Sequence, residues 1–294
     1  MKKLLAIMLA LVMCVMFAAC TKVDDANNDL ADDANADDNG EVVENNEEEN
    51  VENNEEVTVD SDLAYILDKG TLVVGITDFA PMDYQNENGE WIGFDADMAK
   101  AFAEYLGVNV EFQIIDWDNK VFELNGKTID VVWNGMTLTE EVKAAMECSN
   151  AYCNNAQVVI LPADKAEAYP DAESMKELAF AVEAGSAGEG VANENGFNSV
   201  AVTDQATALL EVKSGTADAA IIDSLMAAAM VGEGTNYADL TYTIGLNSEE
   251  YGVGFRKGSD AAAKLNEFFA AAYADGTMTA AAKAYGVQAA LIAQ

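Results

Sequence analysis

Two carboxylates close apolar runs, and they are the side chains best placed to do chemistry. Glu183 ends Ala179-Phe180-Ala181-Val182-Glu183, and Asp223 ends Asp218-Ala219-Ala220-Ile221-Ile222-Asp223. Facing one cleft, such a pair can supply an acid and a base to a substrate. A third run, Ile129-Asp130-Val131-Val132-Trp133, gives way to the small and polar Asn134-Gly135-Met136-Thr137. The chain has no histidine. That removes the Ser-His-Asp and Cys-His nucleophile systems and the H-E-x-x-H zinc helix. With 52 Asp+Glu in the chain a carboxylate pair is commonplace, so it does not by itself make an enzyme.

These residues need elements that bring them to one edge. The β-branched run before Asn134 reads as a buried parallel strand. Thr139 then serves as an N-cap, with Glu140 and Glu141 in the first helical turn. A strand that runs into a loop and a helix start places backbone N–H groups at the carboxyl edge of a sheet, where ligands of open α/β proteins sit. The theme recurs. Thr71-Leu72-Val73-Val74-Gly75-Ile76 is a strand that ends in Asp78-Phe79-Ala80-Pro81, a loop fixed by Pro81. Asp95 can cap an amphipathic helix that Gly107 stops. Residues 108–115 alternate as a strand and lead to Asp116-Trp117-Asp118, whose flanking acids argue against deep burial of Trp117. Residues 157–161 and 251–255 read as strands that cross between two halves, and two C-terminal helices, at 259–275 and 278–285, pack on the first. The β-α-β-α-β order gives a doubly wound sheet.

Charge and address narrow the partners. The chain of 294 residues carries 15 Lys+Arg and a net charge of −37, so no nucleic acid is expected to bind. Residues 1–20 read as a signal peptide: Lys2 and Lys3, an apolar stretch, then Phe17-Ala18-Ala19-Cys20, which resembles a lipobox. Cys20 is then the lipidated N-terminus that anchors the protein to the membrane, on its extracytoplasmic face. Residues 21–60 hold 16 Asp+Glu, one Lys and no aromatic residue, the composition of a disordered acidic tether. No calcium loop, zinc set or other metal site has the required spacing, and no cofactor is expected. In such a compartment Cys148 and Cys153 form either a small-loop disulfide or two buried free thiols.

Gly93-Phe94-Asp95-Ala96-Asp97-Met98, with Asn134-Gly135-Met136-Thr137-Leu138-Thr139 and the run that ends at Asp223, resembles the family 3 extracellular solute-binding proteins, the amino-acid receptors of ABC importers. The resemblance spans 61–294. It implies an α/β, two-lobed periplasmic-binding-protein-like fold (type II), each lobe a doubly wound sheet, joined by two crossover strands. Lobe 1 is expected at 61–160 plus 251–294, and lobe 2 at 161–250. It also implies the ligand-binding set. Phe79 and Trp117 grip the ligand side chain, Asn134, Gly135 and Thr137 offer backbone and hydroxyl contacts, Ser186 and Ala187 present N–H groups to a carboxylate, and Asp223 holds an ammonium. Asp223 can also cap the helix that follows it.

One position departs from the family pattern. Where α-amino-acid receptors of this kind carry an arginine, three residues after Thr139, this chain has Val142. The only arginine is Arg256, in the return strand, where a structural role is expected. The ligand is therefore expected to be a small polar solute, an amino acid or a related amine, delivered by a monomeric receptor to an ABC permease. A ligand sensor for a signalling partner, and a lyase or dehydratase on the same fold, are the alternatives.

Overall fold

The computed structural model describes residues 61–294. The signal peptide, Cys20 and the acidic tether lie outside the described residues. The chain opens with α1 (Asp62–Lys69), capped by the Ser61 hydroxyl, which accepts from the N–H of Ala64. Strand β1 (Thr71–Ile76), a small hairpin of β2 (Tyr84–Gln85) and β3 (Trp91–Ile92), and α2 (Phe94–Leu106) follow. Then come β4 (Asn109–Ile114), α3 (Lys120–Asn125), β5 (Val131–Thr137), α4 (Glu140–Ala145), β6 (Met146–Cys148) and β7 (Cys153–Asn155). The middle of the chain gives β8 (Gln157–Pro162), β9 (Ala179–Glu183), α5 (Ala187–Asn195), β10 (Asn198–Val202), α6 (Gln205–Ser214), β11 (Ala219–Asp223), α7 (Ser224–Met230) and β12 (Leu240–Gly245). Strand β13 (Glu249–Arg256) and helices α8 (Ala261–Ala274) and α9 (Thr277–Ala284) complete it.

Two sheets share one plan. The first runs β4-β1-β5-β13-β6, with β7 also on β13, and the second β10-β9-β11-β8-β12. In each, three parallel strands meet antiparallel ones at β13 or β8. The central strands are buried on both faces. Val131 and Trp133 of β5 join one core cluster and Val132 and Met136 the other, while Val158 and Ile160 of β8 part from Val159 and Leu161 in the same way. That is the double burial expected of strands sandwiched between helix layers. Helices α8 and α9 pack on β13 and α2, on the first sheet.

Three sequence expectations are corrected here. Neither 157–161 nor 251–255 crosses between the halves, because β8 pairs along its length with β11 and β12, and β13 with β5, β6 and β7. The chain changes sheets at Ala156 and again between Gly245 and Glu249, so sheet membership shifts a few residues before the expected 160/161 and 250/251 divisions. Asp95 is not a cap. Gly93, at φ 129°, precedes the helix, where a Cβ would lie 2.1 Å from the carbonyl oxygen of Met82. The Asp95 carboxylate, fully buried, instead accepts from the N–H of Gly135 (2.7 Å) and the hydroxyl of Tyr152 (2.7 Å).

The possible disulfide does not form; Cys148 and Cys153 are free thiols. Cys148 stands opposite Gly254 and Cys153 opposite Tyr251, three positions apart along β13. That is about 10 Å at the rise of a strand, beyond the roughly 7 Å that a bridge tolerates. The two side chains also pack in different core clusters. Burial pushes both thiols up from their ordinary range.

Candidate functional site

The carboxyl edges of β5, β9 and β11 meet the start of β13 around a cleft of about 930 Å³. All eight residues expected at the ligand line it: Phe79, Trp117, Asn134, Gly135, Thr137, Ser186, Ala187 and Asp223. Several of them hold other parts of the wall. Asn134 donates to the carbonyl of Thr77 (3.1 Å) and to Asp83 (2.8 Å), and its Oδ1 accepts from the Thr77 N–H and hydroxyl. The Gly135 N–H is taken by Asp95, and the Thr137 hydroxyl donates to Glu249 Oε1 (2.8 Å). Gly135 has φ 53°, and a Cβ there would sit 2.2 Å from the Phe79 ring. Glycine at this position lets the strand approach the aromatic wall.

Trp117 is buried, at 7% exposure, against the expectation from its acidic neighbours. It starts a 3-10 turn, Trp117–Asn119, that leaves Asp116 and Asp118 exposed while the indole enters the cluster of Ile115, Leu124 and Met136. The ammonium of Lys120 lies 4.9 Å from its ring centroid. Phe79 packs edge-on against Tyr251, with centroids 6.4 Å apart.

On the second sheet, the Ser186 hydroxyl caps α5 by accepting from the N–H of Glu189 (3.2 Å). The Glu189 carboxylate in turn accepts from Gly185 N–H (2.8 Å). Among the described residues no acceptor meets the N–H groups of Ala187 and Gly188, the open donors of a helix start. Asp223 precedes α7 but makes no side-chain cap bond. Its carboxylate accepts from Asn155 Nδ2, Gln157 Nε2 (2.9 Å), Gln205 Nε2 and the Tyr251 hydroxyl (2.8 Å). Burial, then the nearby charge of Glu249, raises its pKa to about 7 despite those donors. Glu183 also lines the cleft at 3% exposure, and burial followed by repulsion from Asp223 raises it to about 8.

Glu249 and Lys120 carry no signal in the sequence. Glu249 is one of two adjacent acids before β13, with no local mark of which turns inward. Lys120 follows Trp117 by three residues, a spacing that fits a solvated helix face as well as a buried one. Val142, by contrast, lines the cleft as an apolar side chain, while Lys143 lies outside the lining and pairs with Glu140 (3.1 Å). Arg256 takes its structural role, donating to Asp62 Oδ1 (2.6 Å), Asp130 Oδ1 (3.3 Å) and the carbonyls of Leu124 and Ile129.

A family model, the bacterial extracellular solute-binding proteins, family 3, matches residues 72–288. The chain belongs to this family. Among its relatives is the L-cystine-binding protein TcyJ of Escherichia coli K12, 27% identical over 219 residues that cover 73% of this chain and 82% of that one. Of the solved structures, the P235GK mutant of ArgBP from T. maritima superposes with a TM-score of 0.71 at 32% identity, covering 76% of this chain and 98% of that one. The ancestral amino acid-binding protein AncCDT-1, a precursor of cyclohexadienyl dehydratase, gives 0.70 at 31% identity, over 76% and 99%. This family 3 solute-binding protein thus has the two-lobed periplasmic-binding-protein fold of type II, with its cleft where the two sheets face. Among the described residues no helix is long and apolar enough to cross a membrane, and no cluster of His, Cys, Asp and Glu is suited to a metal ion.

Proposed function

We propose that this solute-binding protein captures a small cationic solute, an amino acid or a related amine, between its lobes and presents the closed form to an ABC permease. The observation that carries this reading is the buried Asp223 carboxylate at the meeting of the two sheets. It is ringed by neutral amide and hydroxyl donors rather than by a protein cation. A buried carboxylate without a fixed counter-ion is costly, and a bound ammonium offsets that cost. Phe79 and Trp117 form the apolar walls, Asp223 seats the ammonium, and the loop at Ser186 and Ala187 closes from the second lobe. The ligands for which relatives are named, L-cystine for TcyJ and arginine for an extracellular protein of Bacillus subtilis, are both amino acids, and arginine is cationic. A lipid on Cys20 holds the protein at the extracytoplasmic face of the membrane, as a monomer on its 21–60 tether.

Native mass spectrometry of the full chain, purified without denaturation, tests the reading. A retained solute of amino-acid size, competed away by a member of a panel of L-amino acids and amines, is the expected result. A chain that retains nothing, and binds no panel member in calorimetry, overturns it. Because Glu183 and Asp223 both face the cleft and AncCDT-1 precedes a dehydratase, the retained solute should also be followed over time. Recovery of the solute unchanged is expected of a receptor, and accumulation of a dehydrated or cleaved product would indicate an enzyme.

A further inference from the structure

The acids of the cleft are arranged in more detail than one ammonium requires. Asp223 and Glu249 share donors. Asn155 Nδ2 donates to both, and Gln157 Nε2 lies 2.9 Å from Asp223 Oδ1 and 2.8 Å from Glu249 Oε1. Thr137 and Asn247 complete the ring around Glu249, at 2.8 and 2.7 Å. Every one of these donors is neutral. Glu183 is different. Its Oε1 is buried with no hydrogen-bond partner in the structure, although it lines the cleft. Asp83, Asp95, Trp133 and Gln157 also hold buried polar atoms without partners, but of these five residues only Glu183 lines the cleft, where a donor on a ligand can reach it.

The same walls offer fewer groups to an anion than to a cation: the open N–H groups of Ala187 and Gly188 and one ammonium. Eight acidic side chains line the cleft and one basic one, Lys120. The Lys120 ammonium donates to the carbonyls of Trp117 (3.1 Å) and Gly185 (2.9 Å), and among the described residues it makes no ion pair. Glu189 bonds the Gly185 N–H just before α5 and brings a negative charge to that end of the helix, while the N–H groups of Ala187 and Gly188 stay open. Val121, Val142 and Ala145 give the adjoining lining an apolar surface.

We propose that the ligand carries two cationic nitrogens and no carboxylate, an aliphatic diamine or guanidino-amine, with one nitrogen on the cleft side of the Asp223 and Glu249 pair and the other on Glu183. This rests on the reading of the cleft as a solute site and names the solute. The methylene chain between the nitrogens lies along Phe79 and Trp117. Burial and then repulsion from Glu249 raise Asp223, burial and then repulsion from Asp223 raise Glu183, and cations at those positions offset both penalties.

Matched ligand pairs decide the matter in isothermal calorimetry on the full chain. 1,4-Diaminobutane differs from L-ornithine, and agmatine from L-arginine, only by the α-carboxylate. The decarboxylated member of each pair is expected to bind at least about ten-fold more tightly, the scale of one unfavourable buried charge. Glu183→Gln, which keeps the shape of the side chain, should weaken 1,4-diaminobutane about ten-fold and leave n-butylamine unchanged, while Glu249→Gln weakens both. If an amino acid binds as tightly as its amine, the open N–H groups of Ala187 and Gly188 receive a carboxylate and the inference is wrong, though the solute reading stands. The inference is equally wrong if neither pair binds and another panel solute does. If no solute of any class binds, the solute reading itself fails.

Discussion

At the scale of single residues, the cleft is held together by carboxylates kept against their preference. Asp95 and Asp223 rise to about 7 and Glu183 to about 8, in each case chiefly because burial penalises the charged form. A folded-state pKa above the unfolded value means that the fold binds the proton more tightly than the open chain does. The stabilisation is therefore complete below about pH 4, where both states are protonated, and is lost as pH rises through 7 and 8. The ligand-free melting temperature should accordingly fall by several degrees between about pH 6 and pH 9, since a pKa displaced by one pH unit corresponds to about 1.4 kcal/mol. Saturating cationic ligand should flatten that slope, because it favours the ionised cleft. A differential scanning fluorimetry series over that window, with and without ligand, checks both; a rising melting temperature over the same range would contradict the assignment. Part of this is legible in the chain. An acid that ends an apolar run, as Glu183 and Asp223 do, reads as a residue at a sheet edge. Glu249 is not legible, because its inward turn is fixed by Asn155, Gln157 and Thr137, which are distant in sequence. The burial of Trp117 escapes the sequence for a related reason: a 3-10 turn separates the environment of the indole from that of its neighbours.

At the scale of elements, apolar runs and caps locate most strands and helices. Thr139 caps α4 by accepting from the Val142 N–H (3.1 Å), and Gly107 ends α2 at φ 75°. Pairing is less legible, because a buried strand looks the same whichever sheet it joins, and β8 therefore reads as a crossover. Arg256 shows how such elements are fastened. Its guanidinium joins β13 to Asp62 of α1, to the end of α3 and to the loop before β5, where Asp130 is fully buried. Lysine keeps the charge but not the planar fork that serves four acceptors. Arg256→Lys should therefore destabilise the fold by about 3 kcal/mol, since a buried carboxylate and two carbonyls lose donors. For a domain of this size that is roughly a 6–12 °C fall in melting temperature. The dissociation constant for the solute should be unchanged at temperatures where the variant is folded, because Arg256 is absent from the cleft lining. A variant that melts normally but binds poorly would move the only arginine into the functional site.

At the scale of the whole molecule, two sheets built on one plan meet at a hinge and at a clamp. The links at Ala156 and between Gly245 and Glu249 are where the chain passes between the sheets, and a hinge motion is expected there. The clamp lies across the cleft, where Lys120, from the first sheet's side, donates to the carbonyl of Gly185 in the loop after β9. Gly185 is suited to that contact. At φ 68° it turns its backbone against Asp118, and a Cβ would come within 2.7 Å of that carboxylate. The two lobes thus touch through a charge-assisted bond at one side of the cavity while neutral amides and acids converge at the other. Closure by hinge motion favours ligands that stabilise the closed state, and the apparent affinity scales with the population of that state. Lys120→Met keeps an unbranched apolar stem over Trp117 and removes the bond to Gly185. The state in which the lobes touch then loses a contact of about 1.5–3 kcal/mol. Dissociation should quicken by about ten-fold or more while association changes little, since loss of a contact made after encounter shows in the off-rate. Stopped-flow fluorescence reads both rates. If Lys120 instead contacts the ligand directly, the loss will differ widely between 1,4-diaminobutane and n-butylamine; if it acts only as a clamp, the same factor applies to every ligand the cleft accepts.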